Sequence, residues 1–565
     1  MRALAAPSAL ARPRLNVESG VRGIGIWTLV AFLTVAIALP LGMLLSKSFL
    51  NSAGNFVGLA NYLTYFQTPS LVASLWNSVW IASVTTAIVL PLAFGYAYAL
   101  TRTCMPAKGL LTAVAMLPIF APSLLPAISF IYIFGNQGFL KSWLLGASVY
   151  GPIGIILAQV FYCFPHALLI LATALALADG RLYEAAEALG TPKARVFRTI
   201  TIPGVRYGLI SAVFVVFTLV VTDFGIAKVI GGQFNVLATE AYKQVVGQQN
   251  FEMSAVVGFV LLVPAAIAFV VDRVTQRKQV ALLSARAVPL TPKPNTLKDT
   301  GFLLFCGVVG ALILAVILMA VAASFITYWP YNLTLSLRHY DFGEYEPNGW
   351  SPYFASLQMS ALAALIGTVL VFVGAYLMEK TEASATAKMA AQFFAMLPMA
   401  VPGLVLGLGY VFFINARWNP LGIFYGTLVL LAVNTVAHFY TTAHITAVTA
   451  LKQIDTEFEA VSASLRVPFY RTFWRVTVPI CLPTIIDIAV YMFVNAMTTV
   501  SAVIFLYGAS TKLASISVVH MDEAGATAAA AGMATLILLT ALGVKLLHLA
   551  TNAVVFRRLQ TWRSP

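Results

Sequence analysis

Polar side chains inside otherwise apolar segments are the places where this sequence could do chemistry. The sharpest example is Asp223, which is followed by Phe224 and Gly225 near the end of an apolar segment. A carboxylate at membrane depth is costly unless it is paired or lines a cavity. Lys228 follows about one and a half helical turns later, so one interpretation is a structural salt bridge. The other is that Asp223, Phe224 and Gly225 line a gate or a pathway.

Two asparagines raise the same question in the second part of the chain. Asn434 and His438 are four residues apart and would share a helix face. Hydrogen bonding between helices is the interpretation that we favour for this pair. Asn495 lies in a later apolar segment and could line a pathway. The candidate pathway residues are thus Asp223, Phe224, Gly225, Asn434 and Asn495.

Catalytic and metal-binding patterns are missing from the sequence. It contains no Gly-x4-Gly-Lys-Ser/Thr, no His-Glu-x-x-His and no Cys-x-x-Cys. We therefore predict that the chain is not an enzyme and binds no cofactor, and that any ATP is hydrolysed by another subunit. The four cysteines lie in or beside apolar segments and are interpreted as small core residues rather than disulfides: Cys104, Cys163, Cys306 and Cys481.

The amino-acid composition indicates which kind of secondary structure holds these polar side chains. Of the 565 residues, 60% are hydrophobic and only 10% are charged, with a mean hydropathy of +0.88. Soluble domains carry roughly 25% charged residues. The sequence therefore predicts an all-α integral membrane protein.

Apolar runs of roughly 20 residues, the length that spans a bilayer, occur twelve times, six in each half. Their prolines are expected to kink the helices without breaking them. The predicted spans are 24–46, 76–100, 110–134, 152–177, 206–229, 254–272, 302–325, 356–378, 390–414, 422–448, 482–506 and 526–548. The predicted organisation is an N-terminal segment 1–23, a first half 24–275, a linker 276–300, a second half 301–550 and a tail 551–565.

The distribution of Lys and Arg predicts the orientation. With the N-terminus inside, the predicted cytoplasmic segments hold 26 of the 34 basic residues and the opposite side holds seven. Both termini and the linker are then cytoplasmic. The net charge of +14 is explained by this bias, so we predict no nucleic-acid partner.

A short polar interruption between two spans has the pattern of a helix with a narrow apolar stripe. Leu182, Ala185, Ala186 and Leu189 fall at i, i+3, i+4 and i+7. Gly190 suits the left-handed residue that ends such a helix. The pattern predicts either a surface that docks on a partner or a solvated amphipathic linker.

The same plan recurs 276 positions later. The shift pairs Leu189 with Leu465 and Pro203 with Pro479. The second stripe is Phe458, Val461, Ser462 and Leu465. Internal similarity of this kind predicts two tandem halves built on one plan.

The first interruption resembles the EAA loop of permeases from ATP-binding-cassette (ABC) importers. The resemblance rests on Glu184-Ala185-Ala186, on Gly190 and on the later Ile-x-Ile-Pro203. The second copy departs from the pattern, because Glu459 comes one place early, Ala460 takes the Glu position and Arg466 replaces the Gly. The resemblance implies two tandem six-helix type I permease halves with about twelve transmembrane helices.

The resemblance also implies partners. In that family the loops seat in a cytoplasmic ATPase, so it implies two ATPase copies that bind ATP and Mg²⁺. It further implies a periplasmic solute-binding protein and a location in the bacterial inner membrane. The aromatic-rich outer segments 48–73 and 326–355 could form the platform for that protein, although aromatic belts at a membrane interface look similar.

The substrate is suggested by likeness alone. Residues 223–250 look most like 2-aminoethylphosphonate permeases, and iron(III), thiamine and polyamine permeases are the alternatives. A secondary transporter with twelve spans also fits the parallel repeat. A structural scaffold protein of the membrane is a third alternative, but such a role would not explain the two docking loops.

Overall fold

The computed structural model describes residues 17–282, 288, 290–381, 384–455, 457–465 and 467–559. Regular structure in these ranges is helical, apart from isolated bridges and one antiparallel hairpin of strands β1 (Ile326–Tyr328) and β2 (Asn332–Leu335).

The first half begins with a long helix that contains one π-helical stretch, Thr34–Ala38, and ends with a long helix that runs into the linker. Its helices are α1 (Gly20–Ser48), α2 (Ala60–Gln67), α3 (Pro69–Arg102), α4 (Lys108–Met116), α5 (Leu124–Phe134), α6 (Pro152–Ala176), α7 (Gly180–Ala188), α8 (Lys193–Thr222), α9 (Gly225–Ile230), α10 (Leu237–Tyr242) and α11 (Phe251–Leu282).

The second half repeats the order of the long helices, with the hairpin inserted after its first long helix. Its helices are α12 (Thr296–Phe325), α13 (Ser351–Glu379), α14 (Ala385–Met396), α15 (Gly403–Ile414), α16 (Leu428–Lys452), α17 (Glu457–Ser464), α18 (Phe469–Thr498), α19 (Ala514–Glu523) and α20 (Thr527–Leu559).

Two predicted spans are broken in the structure. The pair α4 and α5 bends by 101° and the pair α14 and α15 bends by 115°. A 3₁₀ turn that carries a proline lies at each break, Leu117–Phe120 in one pair and Leu397–Ala400 in the other. The expectation that these prolines only kink the helix was wrong, because a second proline follows four residues later and the residue before it adopts an extended conformation.

Each bent pair nevertheless carries the chain across the membrane. The Arg102 guanidinium donates to the Leu175 carbonyl oxygen at 2.7 Å, so α3 and α6 end side by side. The Lys380 ammonium donates to the Ile454 carbonyl oxygen at 2.9 Å, so α13 and α16 do the same. Because each of these helix pairs runs parallel, the segment between its members must return to the opposite face.

The described residues thus contain twelve passes, ten in long helices and two in bent pairs. The predicted all-α membrane fold with two tandem halves is confirmed. We call the face that carries α7 and α17 the loop face, and the face that carries β1 and β2 the hairpin face.

The two halves are interlocked by their first helices. Helix α1 packs against α14 and α15 of the second half, and α12 packs against α4 and α5 of the first. Each first helix also packs on the last helix of its own half, α1 on α11 and α12 on α20. The halves therefore exchange one helix each.

The fifth and eleventh spans begin earlier and end earlier than predicted. Helices α8 and α18 start at Lys193 and Phe469, on the loop face, and each contains a π-helical turn, Phe197–Thr201 and Phe473–Thr477. They end at Thr222 and Thr498 because the next residue is extended. Hydropathy does not detect this ending, since the residues that follow remain apolar.

Candidate docking helices and translocation pathway

Helix α7 is closed at both ends by its own residues. The Asp179 carboxylate accepts from the Arg181 amide at 3.1 Å. At the other end Gly190 has a φ of +64°, its amide donates to Glu187 at 2.9 Å, and the Thr191 amide donates to Ala186 at 2.9 Å. This pair of bonds is the Schellman motif, so the left-handed helix end predicted at Gly190 is confirmed.

The outward face of α7 is apolar. The exposed fraction is 57% for Leu182 and 83% for Leu189, and Glu184 and Ala185 are exposed beside them. Ala186 is 6% exposed, so its predicted membership of the outer stripe was wrong. Ala186 lies one turn after Tyr183, whose hydroxyl donates to the Thr201 hydroxyl at 3.1 Å and whose ring lies 4.9 Å from the Arg102 guanidinium, so this side of α7 faces the protein.

Helix α17 repeats the geometry of α7. The Asp455 carboxylate accepts from the Glu457 amide at 3.0 Å, and the Val467 amide donates to Ser462 at 2.8 Å. The side chains of Phe458, Val461 and Leu465 are exposed, as is Ala460. Arg466, the residue at the position of Gly190, lies outside the described residues.

Glu459 is used differently from Glu184. Its carboxylate lies 3.2 Å from the ammonium of Lys380, whose side chain is only 6% exposed. The same ammonium also donates to the Ile454 carbonyl oxygen. Glu459 therefore ties α17 to the end of α13, whereas Glu184 is exposed.

The linker lies against α7. The Gly180 amide donates to the Val288 carbonyl oxygen at 2.8 Å, and the Lys293 ammonium lies 2.7 Å from the Glu187 carboxylate. Both contacts leave Leu182 and Leu189 exposed. The exposed apolar face of α7 is thus bordered by the linker.

Pro203 and Pro479 occupy equivalent places just inside α8 and α18. Both are exposed, and both follow a π-helical turn. A proline removes one backbone donor from a helix, and a π turn is one of the ways in which a helix absorbs such a defect. These prolines shape the start of the span and do not extend the apolar face of α7 or α17.

Gly190→Pro is expected to lower uptake by more than about tenfold without preventing membrane insertion. Proline holds φ near −65° and has no amide hydrogen, so it can neither adopt φ +64° nor bond to Glu187. Gly190→Asn is the matched control, because asparagine tolerates the left-handed conformation. Uptake into vesicles and the amount of protein in the membrane are measured together, and full uptake by the proline variant would contradict a coupling role for this turn.

Asp223 lies immediately after α8, at the break before α9. Its carboxylate accepts from the Gln159 side chain at 3.0 Å and from the Ile226 amide at 2.9 Å. The predicted salt bridge with Lys228 is wrong, since Lys228 pairs with Glu523 of the second half. The start of α9 points its amides at Asp223, and this satisfies the carboxylate without a cation.

Phe224 and Gly225 have packing roles at the same break. Phe224 is fully buried and its ring lies 5.0 Å from that of Tyr242, which stacks on Phe505 of the second half at 6.0 Å. A Cβ on Gly225 would lie 2.5 Å from the Ser123 hydroxyl oxygen. This segment therefore joins the halves near the hairpin face and packs on the break between α4 and α5.

The two asparagines lie elsewhere, in the second half. Asn434 is fully buried and its amide donates to the Ala502 carbonyl oxygen at 2.7 Å. We predicted a bond between helices, but the acceptor lies in the turn segment that follows α18. Asn495 donates to Tyr491 of its own helix at 2.8 Å. The structure does not bring either residue to Asp223.

Contacts that no local pattern indicated connect the halves. Lys228 lies over the Tyr242 ring at 4.8 Å and pairs with Glu523. Lys228 and Glu523 are close to three hundred residues apart in the sequence. Only the repeat itself could therefore have suggested that the segments after α8 and α18 meet. Together with Tyr242 and Phe505 they form a contact that joins the halves on this side.

Asp223→Ala is expected to destabilise the protein by about 1–3 kcal/mol for each donor left without an acceptor. The donors include the Ile226 amide and the Gln159 side chain. Asp223→Asn keeps one acceptor oxygen and serves as the control. Thermal unfolding in detergent and uptake are compared: a structural role predicts near-normal uptake for the asparagine variant, and a charge requirement in the pathway predicts equal loss in both.

Comparison with known proteins shows which class of protein the chain resembles. Residues 90–280, which contain α7, match the family model of the binding-protein-dependent transport system inner membrane component. The ferric transport system permease protein FbpB of Actinobacillus pleuropneumoniae is 27% identical over 80% of this chain and 66% of its own length.

Two further relatives carry other solute names. The thiamine transport system permease protein ThiP of Brucella abortus is 25% identical over 67% of this chain and 68% of its own length. The spermidine/putrescine permease PotC homolog of Mycoplasma genitalium is 29% identical over 32% of this chain and 60% of its own length. The chain is thus a multi-pass membrane protein related to the permeases of binding-protein-dependent transport systems.

Proposed function

We propose that the chain is the permease subunit of an ATP-driven importer and forms the path for a small solute that a periplasmic binding protein delivers. One observation carries this proposal. Helices α7 and α17 present exposed apolar residues on the same face, 276 positions apart, each between two membrane passes.

The geometry supports docking on a partner better than solvation. Leu182, Leu189, Val461 and Leu465 are each more than half exposed, and exposed apolar patches rimmed by polar residues mark interaction sites. In this proposal two copies of a cytoplasmic ATPase bind ATP and Mg²⁺ and seat on the two helices. When the two ATPase copies close on each other, they move α7 and α17. This motion is passed to the attached spans, and the two halves rock against each other.

The proposed orientation places the loop face in the cytoplasm. The charge bias supports it, because most Lys and Arg residues lie in segments at that face. The hairpin face is then periplasmic, where the delivering protein docks. On that side the contacts of Tyr242 with Phe505 and of Lys228 with Glu523 hold the path closed.

The solute that we propose to test first is 2-aminoethylphosphonate, on the likeness of residues 223–250. The names of the relatives support iron(III), thiamine and polyamines as the alternatives. Asp223 and the side-chain nitrogen of Asn434 are occupied by hydrogen bonds within the protein, and the soluble binding protein is expected to supply the selectivity.

The test is reconstitution with and without an ATPase. The chain is purified with the ATPase and the periplasmic binding protein that are its proposed partners. The complex is placed in liposomes and assayed for uptake of each radiolabelled solute. Uptake that requires ATP hydrolysis and the binding protein is the expected result. Uptake driven by a proton gradient with no ATPase would show a secondary transporter instead.

A further inference from the structure

A cavity of about 420 Å³ opens on the hairpin face between the two halves. The first half contributes Tyr132 and Tyr150, and the second contributes Trp329, His339 and Tyr345. The first turn of α20, including Thr527, completes the wall. The cavity lies away from α7, α17 and Asp223.

The walls of the cavity are rich in aromatic rings held in fixed orientations. The Tyr132 and Trp329 rings meet edge to face at 5.9 Å, and the His339 and Tyr345 rings lie 6.2 Å apart. The Trp329 indole donates to the Gln137 carbonyl oxygen at 3.1 Å, which fixes its plane. Tyrosine and tryptophan faces attract cations such as ammonium groups.

A carboxylate lies beside this wall. Asp522 accepts from the Thr527 hydroxyl at 3.1 Å, and Thr527 itself lines the cavity. Burial first and the charge of Asp522 second raise the pKa of Tyr150, so the carboxylate acts on a ring of the cavity. Asp522 does not itself line the cavity, but its bond to Thr527 holds its negative charge beside the wall, whereas the adjacent Glu523 is paired with Lys228.

His339 supplies a buried acceptor. The side chain is 9% exposed, and its Nε2 lies 2.9 Å from the Ile326 carbonyl oxygen. A carbonyl oxygen can only accept, so Nε2 carries the hydrogen in the neutral ring and Nδ1 has a lone pair. Nδ1 is buried and has no hydrogen-bond partner. It is therefore ready to accept from an N–H group in the cavity.

We propose that this cavity binds an organic ammonium or guanidinium group, with Tyr132, Tyr150 and Trp329 around the cation and Asp522 as its counter-ion. The cation comes either from a small free amine or from a Lys or Arg side chain of a protein docked on the hairpin face. The first turn of α20 alone would favour an anion, but the carboxylate of Asp522 already bonds there through Thr527. The proposal holds whichever solute the protein carries.

Calorimetric titration of the full-length protein in nanodiscs tests the proposal with three probes. The probes are ethylammonium, N-acetyl-lysine amide and N-acetyl-arginine amide, with ethanol as the uncharged control. Saturable binding of ethylammonium identifies a free amine as a sufficient ligand. Binding of the lysine or arginine probe alone identifies a protein side chain. Binding of none of the three overturns the proposal.

Two variants locate the binding. Asp522→Asn and Trp329→Leu are each expected to weaken the probe that binds by about tenfold or more, since each removes a main electrostatic contribution. Asp341→Asn is the control, because Asp341 is exposed on the same face and its side chain, unlike that of Asp522, has no hydrogen bond to a residue that lines the cavity. Equal affinity of Asp522→Asn and Asp341→Asn would overturn the proposal, and circular dichroism spectra confirm that each variant is folded.

The pH profile gives an independent readout. Burial raises the pKa of Asp522 to about 6, and the charge of Glu523 adds to this while the Thr527 hydrogen bond opposes it. The other titratable groups near it are His520, Lys228, Tyr132 and Tyr150. A cation binds better to the ionised carboxylate, so affinity should fall severalfold as the pH drops from 7.5 to 5.5. This fall should be smaller in Asp522→Asn.

Discussion

Leu189→Glu is expected to lower ATP-driven uptake at least tenfold while the protein remains folded in the membrane. Leu189 is 83% exposed at the end of α7, so the substitution costs the isolated protein little. In a docked complex the leucine would be buried, and central apolar contacts of this kind contribute about 2 kcal/mol or more to binding. That loss weakens the affinity for the ATPase roughly thirtyfold.

The matched control for this variant is Leu297→Glu. Leu297 is 87% exposed in the first turn of α12, also at the loop face, but it belongs to neither docking helix. Binding of the purified ATPase to the variant in nanodiscs and uptake in proteoliposomes are measured side by side. If Leu189→Glu and Leu297→Glu bind the ATPase equally well, α7 is not the docking helix and the coupling proposal fails.

Glu184 of α7 and Glu459 of α17 are expected to respond in opposite ways when each is changed to glutamine. Glu459→Gln removes the ionic partner of Lys380, a side chain that is 6% exposed. Leaving a buried charge without its partner costs about 3 kcal/mol. Because the salt bridge ties α17 to α13, this cost should appear as local opening of α17, with amide exchange in residues 457–464 faster by about a hundredfold.

Glu184→Gln should leave the exchange of residues 180–188 unchanged, because Glu184 is exposed on α7. Its expected effect is on uptake and on stimulation of the ATPase. Hydrogen exchange of the two variants, recorded without the ATPase, separates the roles. Similar acceleration in both helices, or in neither, would show that the asymmetry between Glu184 and Glu459 has no structural consequence.

Several features of the fold could be predicted because they depend on neighbours in the chain. The last turn of α7 follows from Gly190, whose partner lies within a few residues. The number of passes follows from apolar length, which the bilayer sets. The equivalence of α7 and α17 follows from the shift of 276 residues.

The candidate pathway was predicted less well, because a polar group alone does not specify its partner. Asp223 had a cation five residues away, yet it bonds to Gln159 and to the start of α9. Lys228 instead bonds across the interface to Glu523. Both choices depend on how the halves are packed, and pairing over such sequence separations has no local signal.

The sequence by itself determined that the chain is a membrane protein, that it consists of two repeated halves, and that a short helix interrupts the spans of each half. These features depend on hydropathy and helix capping, which act over a few turns of chain. Only the tertiary structure decided that two spans break at their prolines, that Ala186 faces inward and that Glu459 is tied to Lys380. It also decided that each first helix packs on the other half. These outcomes depend on which surfaces meet in three dimensions, and the free energy of such contacts comes from residues far apart in the chain.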